Sequence, residues 1–198
     1  MDISKVKIFD DWLDDIFIHE IDHFTDDNIK WSLSNIANNY SFPYGYKGSH
    51  KFWGSLLYQN IKDNPSLSLN KCPSLIWNLY NFINNKFLKN HYKLVLTTLN
   101  GQGMGQDGSS HVDFNKSEPT QNPYTFMVFI NKSWKLKWGG DFQFLDSLDN
   151  TNCKVLKTIS YKPGRMVFFK GDIPHRALSP TVPYIIRKSL VFKLEKIN

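Results

Sequence analysis

From Tyr92 onward the chain breaks into short apolar runs: "YKLVLTTL", "YTFMVFI", "GGDFQFL", "KVLKTISY", "RMVFFK" and "RKSLVFKL". They are rich in Val, Ile, Phe, Tyr and Thr, and turn residues separate them. No helical periodicity intervenes. Successive strands without crossover helices pair antiparallel, and several of them close into a sandwich or barrel. The region before them reads differently. "DDWLDDIFIHEIDHF" places Leu13, Ile16, Phe17, Ile21 and Phe24 at helical spacing, with acids at its start. "SLIWNLYNFINNKFL" repeats the pattern with Ile76, Leu79, Tyr80, Ile83 and Phe87. Between the two, "SFPYGYKGSHKFWGSLLY" mixes Gly with aromatics and reads as an irregular loop. The expected architecture is one α+β, mainly β domain over 1–198. Helical support fills about 1–90 and a β core about 92–198.

Two familiar patterns fail on context. "HEIDH" (His19, Glu20, His23) matches H-E-x-x-H, the zinc-protease helix motif, but nothing downstream supplies its GxxH extension, so a solvent-side helix flank is the expectation. "GMGQDG" (Gly103, Gly105, Gly108) matches G-x-G-x-x-G after a strand. The "SSHVDFN" behind it is not an amphipathic helix, so no helix N-terminus is there to hold a pyrophosphate. A sharp turn that brings backbone near a site fits better. Cys72 and Cys153 form no CxxC pair, which excludes a zinc ribbon or a thioredoxin-type motif.

That leaves "HVD". In a strand, His111 and Asp113 point the same way and aim an imidazole and a carboxylate at one spot. Downstream, "GDIPH" supplies His175 after an apolar strand, and "RKS" supplies Arg187 and Ser189, again two apart. Two histidines and one carboxylate on one face of a metal leave open positions, the arrangement used for non-haem Fe(II). A 2-oxoglutarate chelating there would need a cation for its far carboxylate. Arg187 is suited to that, with the Ser189 hydroxyl as a second donor.

The H-x-D, the "FINKSW…WGGDF" hairpin, the "KPGRMVFF…H" run and the closing R-x-S resemble the catalytic core of the prolyl 4-hydroxylase-like 2-oxoglutarate/Fe(II) dioxygenases, over roughly residues 92 to 194. The resemblance implies a double-stranded β-helix, a distorted jelly roll with supporting N-terminal helices. It implies Fe(II) bound by His111, Asp113 and His175, and 2-oxoglutarate bound by Arg187, with ascorbate as an accessory reductant. Asn100 in "TLNGQG" resembles an asparagine that lines the site in some members. Many relatives carry a tyrosine where this chain has Phe129, so that hydroxyl is missing here.

The implied reaction is hydroxylation of a C–H bond with release of succinate and CO2, on prolyl residues of a peptide or protein. The same chemistry on a free amino acid, a nucleobase or another small molecule stays open. A non-catalytic cupin-like metal module leaves Arg187 and Ser189 unexplained. Tyr46, Trp53 and Trp138 are candidate substrate contacts, and core packing would account for them equally. The segments "NGQGMGQDGSS" and "YGYKGSHKFWG" are expected to form a mobile lid. A net charge of +6, spread without basic blocks, fits an anionic small molecule or acidic partner better than nucleic acid. The start lacks a signal-peptide pattern and no stretch reaches membrane-span length. The expectation is cytoplasmic, in a microbe or, for a viral protein, in its host.

Overall fold

The computed structural model describes residues 2–35, 51–61, 66, 68–114 and 122–197, and among these lie eleven strands and two α-helices. In chain order these are β1 (Lys7–Phe9), α1 (Asp15–Asp27), β2 (Ser32–Asn35), β3 (Phe52–Gln59), β4 (Leu69–Asn70), α2 (Ser74–Ile83), β5 (Tyr92–Gln102), β6 (Pro123–Phe129), β7 (Phe142–Leu145), β8 (Val155–Ile159), β9 (Met166–Lys170), β10 (His175–Ala177) and β11 (Arg187–Lys196). The major sheet runs β1-β9-β6-β11-β5-β3-β2, with β4 on β3, and the minor sheet runs β10-β7-β8. Each of these pairings is antiparallel. All six β-like runs of the sequence form strands, and the expected antiparallel jelly roll is the fold observed.

Strand alternation splits the interior into two cores on either face of the major sheet. Phe126, Val128, Leu190, Phe192 and Leu194 face the helices and pack with Ile21, Ile76, Leu79 and Ile83. Met127, Phe129, Val167, Phe169 and Val191 face the minor sheet and pack with Phe142 and Phe144. Each such side chain stabilises the fold by about 1.5–3 kcal/mol through burial.

Two N-terminal expectations change. The stretch read as a loop ends in β3, which pairs with β5 from Trp53↔Gly101 to Gln59↔Leu96. Its glycines and aromatics hide a strand, because Gly54 lies in the cavity-facing row with Asn100. The first ninety residues therefore also supply β1–β4. In α1 the helix starts only after Asp14, whose carboxylate accepts from Phe17 N at 2.7 Å. That phase buries Ile18, Ile21, Asp22 and Thr25 and leaves Ile16 74% exposed. His19, Glu20 and His23 are all exposed, with His23 pairing Asp27 at 3.0 Å.

A buried cation pins α1 to the sheet. Lys188 Nζ lies 2.6 Å from Asp22 Oδ1 and 2.8 Å from Asp26 Oδ1, and donates to the Asp22 carbonyl at 3.0 Å. The "KPGR" turn serves the same junction. Gly164 has φ +72°, and a Cβ there would sit 2.5 Å from Ile18. Arg165 forks onto Asp10 at 2.8 and 2.9 Å.

Candidate active site

Between the two sheets lies a cavity of about 270 Å³. Its walls are the inward rows of three neighbouring strands: Leu96, Thr98, Asn100 and Gln102 on β5, Thr125 and Met127 on β6, and Arg187, Ser189, Val191 and Lys193 on β11. The chain crosses the cavity on the minor-sheet side with His111, Asp113 and His175. A reciprocal pair of backbone bonds, His111 N to His175 O at 3.0 Å and His175 N to His111 O at 2.9 Å, brings the two histidines side by side. Asp113 is held in place by its own amide, which donates to Gly171 O at 2.9 Å.

One nitrogen or oxygen from each of the three residues falls within 4.8 Å of the others. His111 Nδ1 donates to Ser109 O at 2.9 Å and His175 Nδ1 to Ile173 O at 2.8 Å. Each ring therefore keeps its Nε2 lone pair for a ligand role, oriented by a backbone carbonyl. Burial pushes His111 down to about 3 and lowers His175 as well, so both imidazoles are neutral donors. Burial alone would raise the Asp113 carboxyl. The Lys193 ammonium and the Thr125 hydroxyl outweigh it and hold the group ionised, below its usual range. Thr125 Oγ1 donates to Asp113 Oδ2 at 2.5 Å, and Lys193 Nζ lies 3.3 Å from Oδ1. Two neutral imidazoles and one ionised carboxylate suit a divalent transition metal such as Fe(II).

Arg187 is fully buried on the same cavity wall. Its Nε donates to Gly140 O at 2.8 Å, and Nη1 donates to Gln102 Oε1 at 3.2 Å and Ser189 Oγ at 3.3 Å. Nη2 has no partner among the described residues. The guanidinium lies over the rings of Phe129 and Tyr161, 5.0 and 5.3 Å from their centroids. Burial lowers its pKa to about 10, which leaves it charged at neutral pH. No carboxylate pairs with it among the described residues. A buried fork with no direct ion pair among the described residues and an idle donor fits a ligand carboxylate, and the far end of 2-oxoglutarate is one. Gly140, at φ +81°, admits no side chain, since a Cβ there would meet Trp134 at 2.8 Å and Arg187 Cδ at 3.4 Å.

Of the residues singled out from sequence, His111, Asp113, His175, Arg187, Ser189 and Asn100 all line this cavity. Among the aromatic candidates, Trp53 and Trp138 do not. Trp53 pairs with Gly101, and a Cβ on Gly101 would meet Trp53 and Trp31, on the face opposite the cavity. Its neighbour Phe52 lines the cavity instead. Trp138 packs against Trp134, centroids 5.5 Å apart, and carries the Lys135 ammonium on its ring. Tyr46 lies outside the described residues. The glycine-rich loop of the expected lid is tied to the β10 side: Gly108 N donates to Ala177 O, Ser179 N to Asp107, and Gly105 N to Ser179 Oγ, while residues 44–50 of its second segment lie outside the described residues.

Three further cavity residues, Lys193, Thr125 and Gln102, carry no motif that marks them in the sequence. The alternation that links Arg187 to Ser189 extends through Val191 to Lys193, so strand period alone reaches that residue. Gln102 and Thr125 need the strand register.

A family model described as the 2OG-Fe(II) oxygenase superfamily matches residues 96–192. The match starts in β5, ends in β11 and contains every metal and co-substrate candidate. No curated protein matches the chain in sequence. Among solved structures, an oxidoreductase of the 2OG-Fe(II) oxygenase family from Burkholderia pseudomallei superposes with TM-score 0.67 at 11% identity, covering 99% of this chain and 87% of that one. A prolyl hydroxylase from Trichoplax adhaerens, in complex with a hypoxia inducible factor peptide, gives 0.63 at 13%, with coverages of 98% and 84%. The viral collagen prolyl hydroxylase from Paramecium Bursaria Chlorella virus-1 gives 0.59 at 14%, covering 98% and 96%. At these identities the likeness shows the fold, which this chain shares with these structures, and the sequence match to the 2OG-Fe(II) oxygenase superfamily spans residues 96–192, just under half of the chain.

Proposed function

We propose that the protein is a 2-oxoglutarate- and Fe(II)-dependent dioxygenase that hydroxylates prolyl residues of a peptide or protein. The observation that carries the chemistry is the pairing, in one cavity, of the His111–Asp113–His175 donor set with the idle Arg187 Nη2. A metal module without turnover has no need of the second feature. His111, Asp113 and His175 would hold the iron. Arg187, with Ser189 and Asn100 beside it, would hold the far carboxylate of 2-oxoglutarate. Bound together, the two supply oxidative decarboxylation to succinate and CO2, coupled to insertion of one oxygen into a C–H bond.

The protein's own contribution is positioning and exclusion. Two backbone carbonyls fix the imidazole tautomers, Thr125 and Lys193 hold the carboxylate, and Phe129 and Tyr161 flank the guanidinium. The apolar lining from Phe52, Met127, Phe142 and Val191 limits the water beside the metal donors. The prolyl part rests on the fold shared with structures named as prolyl hydroxylases, an argument by analogy.

The test is succinate release from 2-oxoglutarate with added Fe(II), with and without ascorbate. Proline-rich peptides, free amino acids and nucleotides serve as substrates, and mass spectrometry detects one added oxygen atom. Oxygen added to a peptidyl proline supports the full proposal. Oxygen added only to another substrate removes the prolyl part, and no succinate under any condition removes the dioxygenase.

A further inference from the structure

Among the described residues that line the cavity, Lys193 carries the one charge that neither ligates the metal nor meets 2-oxoglutarate in the proposed site, although it also steadies Asp113. Its strand position puts it in the inward row with Arg187, Ser189 and Val191. It stands next to the metal donors rather than at the Arg187 end. Nζ donates to Asp113 O at 2.8 Å and lies 3.3 Å from Asp113 Oδ1, with the Phe114 ring centroid 5.4 Å away. Its side chain is 26% exposed, so the ammonium is reachable from solvent. An ammonium has three donors, and Asp113 engages two at most.

At the metal end the described residues leave one positive charge over. Arg187 stands at the other end, where the Asp141 charge also acts on it, so the fixed charges beside the metal donors are those of Lys193 and Asp113. Imidazoles that ligate a metal are neutral. A divalent metal would add two charges, and Asp113 and the near carboxylate of 2-oxoglutarate would remove two. One positive charge is left over beside the metal donors, in a partly apolar space where solvent screens it only in part. The excess has the size of the Lys193 charge and lies on the side of the metal donors.

We infer that the primary substrate carries a carboxylate close to the carbon that reacts, and that Lys193 receives it. This rests on the dioxygenase reading above, since it is the metal and co-substrate that use up the other charges. The carboxylate has two sources, the α-carboxylate of a free or C-terminal imino acid and the side chain of an acidic residue beside the proline in a peptide. Lys193 is a specificity-determining residue in either case. A purely structural Lys193, serving only to hold Asp113, would give no preference between an acid and its amide.

The experiment is calorimetric binding to protein loaded with Mn(II) and 2-oxoglutarate in the absence of oxygen. Two matched pairs are titrated: N-acetyl-L-proline against N-acetyl-L-prolinamide, and a blocked Ala-Glu-Pro-Ala peptide against its Gln counterpart. In the wild type, the acid of at least one pair should bind on the order of tenfold tighter than its amide. The pair that shows this names the source. The preference should vanish in Lys193→Met and in Lys193→Gln and persist in Lys193→Arg. Equal binding of acid and amide in both wild-type pairs overturns the inference, as does a preference that survives in the Met or Gln variant. Binding is read without turnover, so such a failure leaves the succinate test standing. A wild type that makes no succinate would instead sink the dioxygenase reading.

Discussion

At the residue scale, Arg187 carries the sharpest expectation. Its Nε and Nη1 are spoken for by Gly140, Gln102 and Ser189, and only Nη2 is idle. Arg187→Met removes both the fork and the charge, a loss of about 2–5 kcal/mol if the carboxylate pair is desolvated. The KM for 2-oxoglutarate should rise by about 30-fold or more while Fe(II) affinity changes little. An unchanged KM with lost iron binding would mean that Arg187 serves the metal instead. His175→Ala should show the reverse pattern, with metal affinity lost first, because each of the three donors is one third of the set. Much of this site is legible in the amino-acid sequence. The i, i+2 rule joins Arg187 to Ser189 without knowledge of the fold, and two further steps along the same strand reach Lys193; it also pairs His111 with Asp113, although that segment forms only an isolated bridge at His111 and a bend at Asp113. Gln102 and Thr125 are out of its reach, because which residues face each other across strands is set by register, and register depends on partners distant in sequence.

At the element scale, the sequence misleads most in the N-terminal third. There, strand β3 has the look of a loop, since Gly54 and the aromatics around it obscure the alternation. The consequence is testable. Trp53→Ala should leave 2-oxoglutarate turnover near the wild-type rate, because the side chain lies on the far face of the sheet. Phe52→Ala should raise the KM for co-substrate or substrate by opening the cavity wall. Comparable losses in both variants would contradict the strand register. The α1 junction gives a second expectation. Lys188→Met leaves the buried Asp22 carboxylate without its cation and should cost about 3–5 kcal/mol, read as a lower urea midpoint. A midpoint unchanged within error would show that Asp22 finds water instead. The pair is hidden in the sequence because Asp22 looks like one more surface acid on a helix rich in them, and only the observed phase of α1 turns it inward.

At the scale of the whole molecule, the major sheet does two jobs with its two faces. The outward rows of β6, β9 and β11 pack on the helices and supply stability, while the inward rows divide between the second core and the cavity. Arg187 and Lys188 show the division most plainly. Adjacent in sequence, they point to opposite faces, one toward the cavity and the other toward Asp22 and Asp26 of α1. The central claim is that metal donors and anion fork form a single site. Titrating 2-oxoglutarate into Mn(II)-loaded protein tests this most directly. The account predicts saturable binding of one molecule per chain, lost when the metal is withheld and lost again in Arg187→Met. Binding that persists without metal, or that is indifferent to Arg187, would contradict it.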